Sequence, residues 1–156
     1  MPTTDEDRPI EVLDEAECRS LLGTTGTGRL GFTDGALPAI VPVPFALQDG
    51  HVMIPAHRGS PTVRAVRGSV VVFAVDSYDA ATDTGWSVTV VGPTRMVFDL
   101  EEVSALLQRC FSTWPPAPGR CFICVHPGLV RGWRMTEWPA VPTSAAPDTE
   151  AAPPGR

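Results

Sequence analysis

The Asp49-Gly50 dipeptide constrains this chain more than any other feature, because it lies between two β-rich runs. Asp-Gly flanked by such runs is the strongest short-range sequence signal for a β-hairpin. We therefore predict a strand over 39–47, a second strand over 52–56, and then a polar loop (57–62), a short helix (63–66) and a third strand (70–76).

The loop after the second predicted strand is rich in groups that can donate hydrogen bonds to an anion. The residues concerned are His57, Arg58, Gly59, Ser60, Thr62, Arg64 and Arg67. Hydroxyls, guanidinium groups and the backbone N–H groups at a helix start can all donate toward one point. We interpret the segment as a β-scaffold that holds a phosphate-bearing ligand. Of the histidines, we consider only His57 a functional candidate, and His51 is expected to be exposed in a turn.

Length and charge limit the classes of protein that this chain can represent. Its 156 residues suit one main domain, with a net charge of −6 and no basic block. Non-specific nucleic-acid binding requires many cations and is therefore not expected. Without an apolar leader or a run long enough to cross a bilayer, we expect a soluble cytoplasmic protein. We predict a disordered arm over 1–10, an ordered domain over 11–138 and a disordered tail rich in Pro and Ala over 139–156.

The four cysteines are expected to be reduced thiols rather than disulfides. Cys18 and Cys110 fall on apolar helix positions, where we expect them to be buried. Cys121 and Cys124 form a C-x-x-C pair, but in a strand two residues three apart point to opposite faces. Zinc would need two further ligands, and only His126 is near. We therefore predict packed strand thiols and no metal site.

The stretch from Gly26 to Gly31 matches G-x-G-x-x-G, which suggests a dinucleotide site only when it leaves a strand and opens a helix. Here a predicted helix (13–23) precedes it and a predicted strand (29–33) follows. The order is reversed, so we interpret the glycines as allowing this strand to pass close to another backbone.

Pro42 and Pro44 lie inside a predicted strand and cannot donate to a β-ladder, so this strand should be an edge. Two interpretations stay open. The prolines protect the edge against aggregation, or they leave backbone groups at Val41, Val43 and Phe45 free to meet a planar ligand.

The second half of the chain predicts a long strand over 85–98 with a bend at Gly92-Pro93. A helix over 100–111 and strands over 120–125 and 130–135 follow. Gly85-Trp86-Ser87 begins like a nucleophile elbow, but Thr89 replaces the required glycine and no helix follows. Trp86 is either a core or interface aromatic or a platform for a ligand. Together the elements predict a mainly β protein, an antiparallel barrel that is closed or partly closed.

Several segments occur in an order typical of one family. They are Gly28-Arg29-Leu30-Gly31-Phe32, Pro38 to Phe45, Asp49-Gly50, Arg58-Gly59-Ser60, Val71 to Asp76 and Gly85-Trp86-Ser87-Val88. In this order the chain resembles the pyridoxamine 5′-phosphate oxidase-like proteins, FMN-binding split β-barrels of actinobacterial type. The resemblance implies a six- to seven-stranded antiparallel split β-barrel with two or three short peripheral helices.

The resemblance also implies a homodimer with FMN in a cleft at the subunit interface. By position, the flavin ring would face Val41, Pro42, Val43, Pro44 and Phe45. The phosphate would meet His57, Arg58, Ser60, Thr62 and Arg64, while Trp86 and Ser87 would line the flavin edge. The lysine that many relatives carry in the phosphate loop is missing from Gly59-Ser60-Pro61, so Arg58 or Arg64 would have to replace it.

The function expected from this resemblance is an FMN-dependent oxidoreductase that acts on an unidentified small molecule. The first hairpin strand lacks the Arg and Lys of the oxidase proper, which argues against pyridoxamine phosphate as the substrate. No side chain is an evident acid or base, so the chemistry would belong to the cofactor. The alternatives are a non-catalytic flavin or small-molecule binding protein and a barrel that has lost its cofactor. A deazaflavin or haem would be the other cofactors to consider.

Overall fold

The computed structural model describes residues 10–115 and 117–137. Within them lie nine strands and three helices: β1 (Ile10–Leu13), α1 (Glu15–Leu22), β2 (Thr27–Asp34), β3 (Leu37–Pro44), β4 (Ala46–Gln48), β5 (His51–His57), α2 (Pro61–Val66), β6 (Val70–Asp79), β7 (Thr84–Val97), α3 (Leu100–Cys110), β8 (Arg120–Val125) and β9 (Leu129–Met135). The predicted arm and tail lie outside the described residues, except for Ile10, which begins β1.

The strands form a curled antiparallel sheet in the order β3-β2-β6-β7-β8-β5-β4, and β9 pairs with both β7 and β1. β7 belongs to both halves of the sheet, since it pairs β9 as far as Val91 and β6 as far as Pro93, and then pairs β8 from Thr94 onward. The predicted bend at Gly92-Pro93 lies where this change of partner occurs. The mainly β, split-barrel fold class is confirmed.

Two differences raise the strand count above the predicted six or seven. β1 was not predicted, because its four residues are too few to show a clear alternation of apolar and polar side chains. It is stabilised as a strand by pairing with the distant β9. The predicted strand over 39–47 is divided at Phe45 into β3, which pairs β2, and β4, which pairs β5. Phe45 is buried, and its ring centroid lies 4.7 Å from that of Phe73. The chain therefore changes sheet halves around this buried ring.

The hairpin at Asp49-Gly50 is confirmed. Both residues have positive φ, 51° and 78°, as a two-residue type I′ turn requires. β3 lies at the edge of the sheet, which confirms the edge position predicted from Pro42 and Pro44.

The glycines of the G-x-G-x-x-G stretch allow close approach between strands, as predicted. A Cβ on Gly28 would lie 2.4 Å from the Phe73 ring, and one on Gly31 would lie 2.6 Å from Val72 Cγ1. The stretch follows α1 and enters β2, so the order of a dinucleotide site is absent here.

Each helix is capped at its N-terminus by the side chain of the preceding residue. Asp14 and Glu17 form a capping box on α1, and the Asp99 side chain accepts a hydrogen bond from the Glu102 backbone N–H on α3. Cys18 is buried, but the prediction of a buried Cys110 is wrong, because Cys110 is exposed on the last turn of α3. The larger ring of Phe111 follows directly and occupies the buried position instead, beside Phe122.

Candidate functional site

α2 forms one wall of a cleft of about 530 Å³ whose other wall is the turn between β2 and β3. Ser60 caps α2 by accepting the Val63 backbone N–H at 3.2 Å, and Val63 and Val66 anchor the helix in the core. This anchoring leaves Arg64 on the exposed side. The residues that line the cleft are Thr33, Asp34, Gly35, Pro61, Arg64, Ala65 and Ser69.

The chemistry of this α2 cleft suits an anion. Arg64 forms no ion pair with another described residue, while Thr33 and Ser69 add hydroxyl groups and Asp34 brings one carboxylate to the rim. A guanidinium without a carboxylate partner keeps its donors available for phosphate oxygens.

Arg58 lies elsewhere, so the structure does not bring Arg58 and Arg64 to one cleft. Its guanidinium carbon is 4.3 Å from the centroid of the Phe98 ring, a cation–π contact, and one Nη donates to the Phe98 carbonyl at 3.5 Å. Arg58 lines a second cleft, of about 330 Å³, together with Arg120 and the side chains of α3. Arg67 also lies over the Phe98 ring, at 5.2 Å.

The other residues predicted for the phosphate have mixed positions. His57 Nε2 lies 3.0 Å from the Pro118 carbonyl oxygen, so this ring faces the 117–119 loop and not the α2 cleft. The Ser60 oxygen caps α2, and Thr62 is half-buried in its first turn. Arg64 is the residue of the predicted phosphate set that lines the cleft.

The stretch predicted to face a flavin ring does not present a single face, because four of its residues lie on β3 and Phe45 follows that strand. Val41 and Val43 are half-buried against the core, whereas Pro42 is exposed and Phe45 is fully buried. Trp86 also packs against the core cluster, which supports its interpretation as a core aromatic. Ser87 is the next residue along β7 and therefore points to the opposite face.

An apolar row on the outer face of the sheet was missed by the sequence analysis. Five residues lie directly opposite one another across β3, β2, β6, β7 and β9: Ile40, Gly31, Val72, Val91 and Leu129. Ile40, Val72 and Leu129 are 70%, 37% and 42% exposed. The unbroken apolar run Val70-Val71-Val72 is the signal that could have revealed this row. A strand with one solvent-exposed face normally alternates apolar and polar residues.

This row continues into a concave surface of about 850 Å³ on β1 and β9. Its apolar lining includes Ile10, Val12, Leu129, Trp133 and Met135. Val12 is 82% exposed and Trp133 is 38% exposed. We call the row and this surface together the outer apolar face. An apolar face of this extent is typical of an interaction surface.

Cys121 and Cys124 contribute to different hydrophobic clusters, so the predicted divergence of their sulfur atoms is confirmed. Burial raises the pKa of both thiols. Burial, followed by the carboxylates of Asp14 and Glu17, also raises the pKa of Cys18.

We expect one of the four thiols, Cys110, to react with a disulfide reagent in the folded protein, because it is the exposed one. The reactive species is the thiolate, so a raised pKa keeps the three buried thiols protonated to higher pH. Burial also shields them from the reagent. Titration with Ellman's reagent at neutral pH, before and after unfolding in guanidinium, measures the number. A fast reaction of two thiols that disappears in Cys121→Ser would contradict the packed-thiol interpretation.

The described residues contain no group of three or more His, Cys, Asp or Glu side chains placed to hold a metal ion. Within the same part of the chain, no helix is both long and apolar enough to cross a membrane.

Comparison with known proteins gives a consistent family match. The family model described as pyridoxamine 5′-phosphate oxidase matches residues 14–125. The uncharacterized protein Rv0080 of Mycobacterium tuberculosis is 35% identical over 133 residues, which cover 82% of this chain and 87% of that protein.

Solved structures share the fold. A conserved protein of unknown function from Corynebacterium diphtheriae is 27% identical with a TM-score of 0.68, and the match covers 82% of this chain and 99% of that one. The FAD binding protein from Mycobacterium smegmatis is 26% identical with a TM-score of 0.63, over 81% of this chain and 98% of its own.

Proposed function

Because the chain belongs to the pyridoxamine 5′-phosphate oxidase family, we propose that it is an FMN-dependent oxidoreductase that acts on a small molecule. The observation that carries the proposal is the α2 cleft, where Arg64 has no carboxylate partner among the described residues. We assign this cleft to the flavin phosphate.

The residues beside the cleft fit the rest of the cofactor. β3 continues from the β2–β3 turn and is an edge strand, so its outer backbone groups are free to meet a flat ring system. Pro42 and Pro44 present carbonyl groups without N–H groups there, which suits contact with ring N–H and C–H atoms. Bound FMN would supply two-electron redox chemistry, while the chain places it and excludes water.

The side chains support a reaction carried by the cofactor. None of the buried described residues is polar or charged. Catalytic acids and bases with strongly shifted pKa values are typically titratable side chains that are buried or face a charge within a cleft. The chain's contribution is therefore binding and orientation.

The outer apolar face supports a homodimer, which we propose as the active form. Exposed Ile40, Val72 and Leu129 lie in one row across five strands, and a two-fold axis would bury the same row from both copies. Ile40 is on β3, so the proposed interface adjoins the edge proposed for the flavin. The cofactor cleft would then lie at the subunit boundary. A cytoplasmic location stays a prediction.

We expect Arg64→Ala to weaken flavin binding by about tenfold to a hundredfold, whereas Arg58→Ala leaves it near the wild-type value. A charge-assisted hydrogen bond contributes about 1.5–3 kcal/mol, and the Arg58 guanidinium is already stacked on Phe98. The measurement is flavin fluorescence quenching on titration of the apoprotein with FMN. Arg58→Ala is the matched control, since it removes the same charge from the same segment.

The opposite ranking of the two variants would move the phosphate to the Arg58 cleft. Equal retention of FMN by both variants would remove the phosphate assignment altogether. The spectrum of the purified protein tells flavin from haem or a deazaflavin. Mass analysis of the released cofactor then separates FMN from FAD, which the M. smegmatis neighbour is described as binding.

A flavin-binding protein without turnover is the second candidate, and it is favoured because none of the buried described residues is polar or charged. Bleaching of the flavin bands by NADPH or NADH, with recovery on addition of an acceptor, would support the oxidoreductase. A bound flavin that neither nucleotide reduces would support the carrier.

A further inference from the structure

His51 and His126 lie side by side although 75 residues separate them in the sequence. His51 begins β5 and His126 follows β8, and the register of these strands places Val52 opposite Val125. The pairing of Val52 with Val125 therefore brings the two neighbouring histidine rings together. Their nitrogens, Nε2 of His51 and Nδ1 of His126, are 3.1 Å apart.

The hydrogen bonding of His51 defines which of its nitrogens has a free lone pair. Its Nδ1 lies 3.1 Å from the carbonyl oxygen of Asp49. A carbonyl can only accept, so Nδ1 carries the proton and Nε2 presents its lone pair toward His126. Metal-binding histidines are commonly oriented in this way, with the remote nitrogen donating to a backbone carbonyl.

The separation of the two nitrogens fits ligation of a single ion. Zinc binds imidazole nitrogen at about 2.0–2.1 Å, so two ligands on one ion are about 3.0 Å apart at a right angle and about 3.4 Å apart at a tetrahedral angle. The observed 3.1 Å lies between these values. In the absence of metal, the same distance is satisfied by a His126 Nδ1–H that donates to His51 Nε2.

The backbone of His126 is fixed, which favours a preformed pair. Its N–H donates to the Pro93 carbonyl at 3.0 Å, and its carbonyl accepts the Gly128 N–H at 2.9 Å. The His126 carbonyl lies so close to β7 that a Cβ on Gly92 would collide with it.

We propose that His51 and His126 chelate a divalent transition-metal ion such as Zn²⁺, Ni²⁺ or Cu²⁺. Imidazole suits these ions. The described residues offer no third protein ligand, so water or an incoming molecule completes the coordination. The site is separate from the proposed flavin cleft, because His51 begins β5 and α2, which lines that cleft, follows the other end of this strand, about 20 Å away at 3.3 Å per residue.

The test uses the full chain carrying Cys110→Ser, which removes the exposed thiol as a competing ligand. Isothermal titration with Ni²⁺ and with Zn²⁺ is expected to show one saturable site. His51→Ala and His126→Ala are each expected to weaken binding at least tenfold. His57→Ala is the matched control and is expected to bind as tightly as the parent, because its ring faces the Pro118 carbonyl.

A second measurement does not depend on any histidine variant. Electron paramagnetic resonance of the Cu²⁺ complex at one equivalent is expected to show hyperfine splitting from two nitrogen ligands. The proposal is overturned if the parent shows no saturable metal binding, if the splitting shows fewer than two nitrogens, or if the His51 and His126 variants bind like the His57 control. The pair would then be a simple hydrogen bond between surface side chains.

Discussion

Gly92→Ala is expected to lower the free energy of unfolding by about 3 kcal/mol or more, near the upper end for overpacking by one methyl group. The new Cβ would lie 1.7 Å from the His126 carbonyl oxygen and 3.1 Å from the Gly128 nitrogen. These are backbone atoms held by hydrogen bonds to Pro93 and within the 126–128 loop, so no side-chain rotation can relieve the clash.

Urea unfolding followed by circular dichroism measures this loss, and Gly59→Ala is the matched control. Gly59 has nothing within 4 Å of an added Cβ. Its substitution is expected to change stability by no more than about 0.5 kcal/mol, as at an ordinary surface position. Similar unfolding midpoints for the two variants would mean that β7 and the 126–128 loop are not in contact. Gly92→Ala should also disturb the His51–His126 pair.

The elements that were predicted well are those specified by neighbouring residues. The Asp49-Gly50 turn and the edge position of the strand that carries Pro42 and Pro44 each depend on a few adjacent residues. Hydrophobic periodicity and local turn or stop residues are sufficient to predict such features. The fold class followed from them because antiparallel hairpins place most strands beside their sequence neighbours.

The features that could not be predicted depend on contacts between distant segments. Arg58 and Arg64 are six residues apart and look equivalent in the sequence. Arg58 stacks on Phe98 and therefore lies outside the α2 cleft, which Arg64 lines. The division of the strand at Phe45 likewise depends on Phe73, which the local pattern does not reveal. The position of a cationic side chain is set by the partner that the fold brings to it.

The histidine pair shows the same limit of local reasoning. His51 follows a turn and His126 follows a strand, and each alone has the pattern of an exposed surface residue. Only the register of β5 with β8 makes them neighbours. A register is fixed by the whole sheet, so no short window of sequence contains it.

Ile40→Asp is expected to convert the proposed homodimer into a monomer, with the dimer dissociation constant rising by more than about a hundredfold. A carboxylate placed in a dry interface costs several kcal/mol unless it is paired, and two-fold symmetry introduces it twice. The monomer itself should tolerate the change, because Ile40 is 70% exposed and lies on an edge strand.

Sedimentation velocity over a concentration series measures the dissociation, and Leu100→Asp is the matched control. Leu100 is also an exposed apolar residue, at 80%, but it lies on α3, away from the outer apolar face. An aspartate there stays in water and is favourable in the first turn of a helix. If the outer apolar face is the interface, only the Ile40 variant dissociates, and its flavin affinity falls with it because the partner subunit no longer covers the edge of the proposed cofactor site. Dissociation without loss of flavin would confine the cofactor to one subunit, and a stable Ile40→Asp dimer would place the interface on another surface.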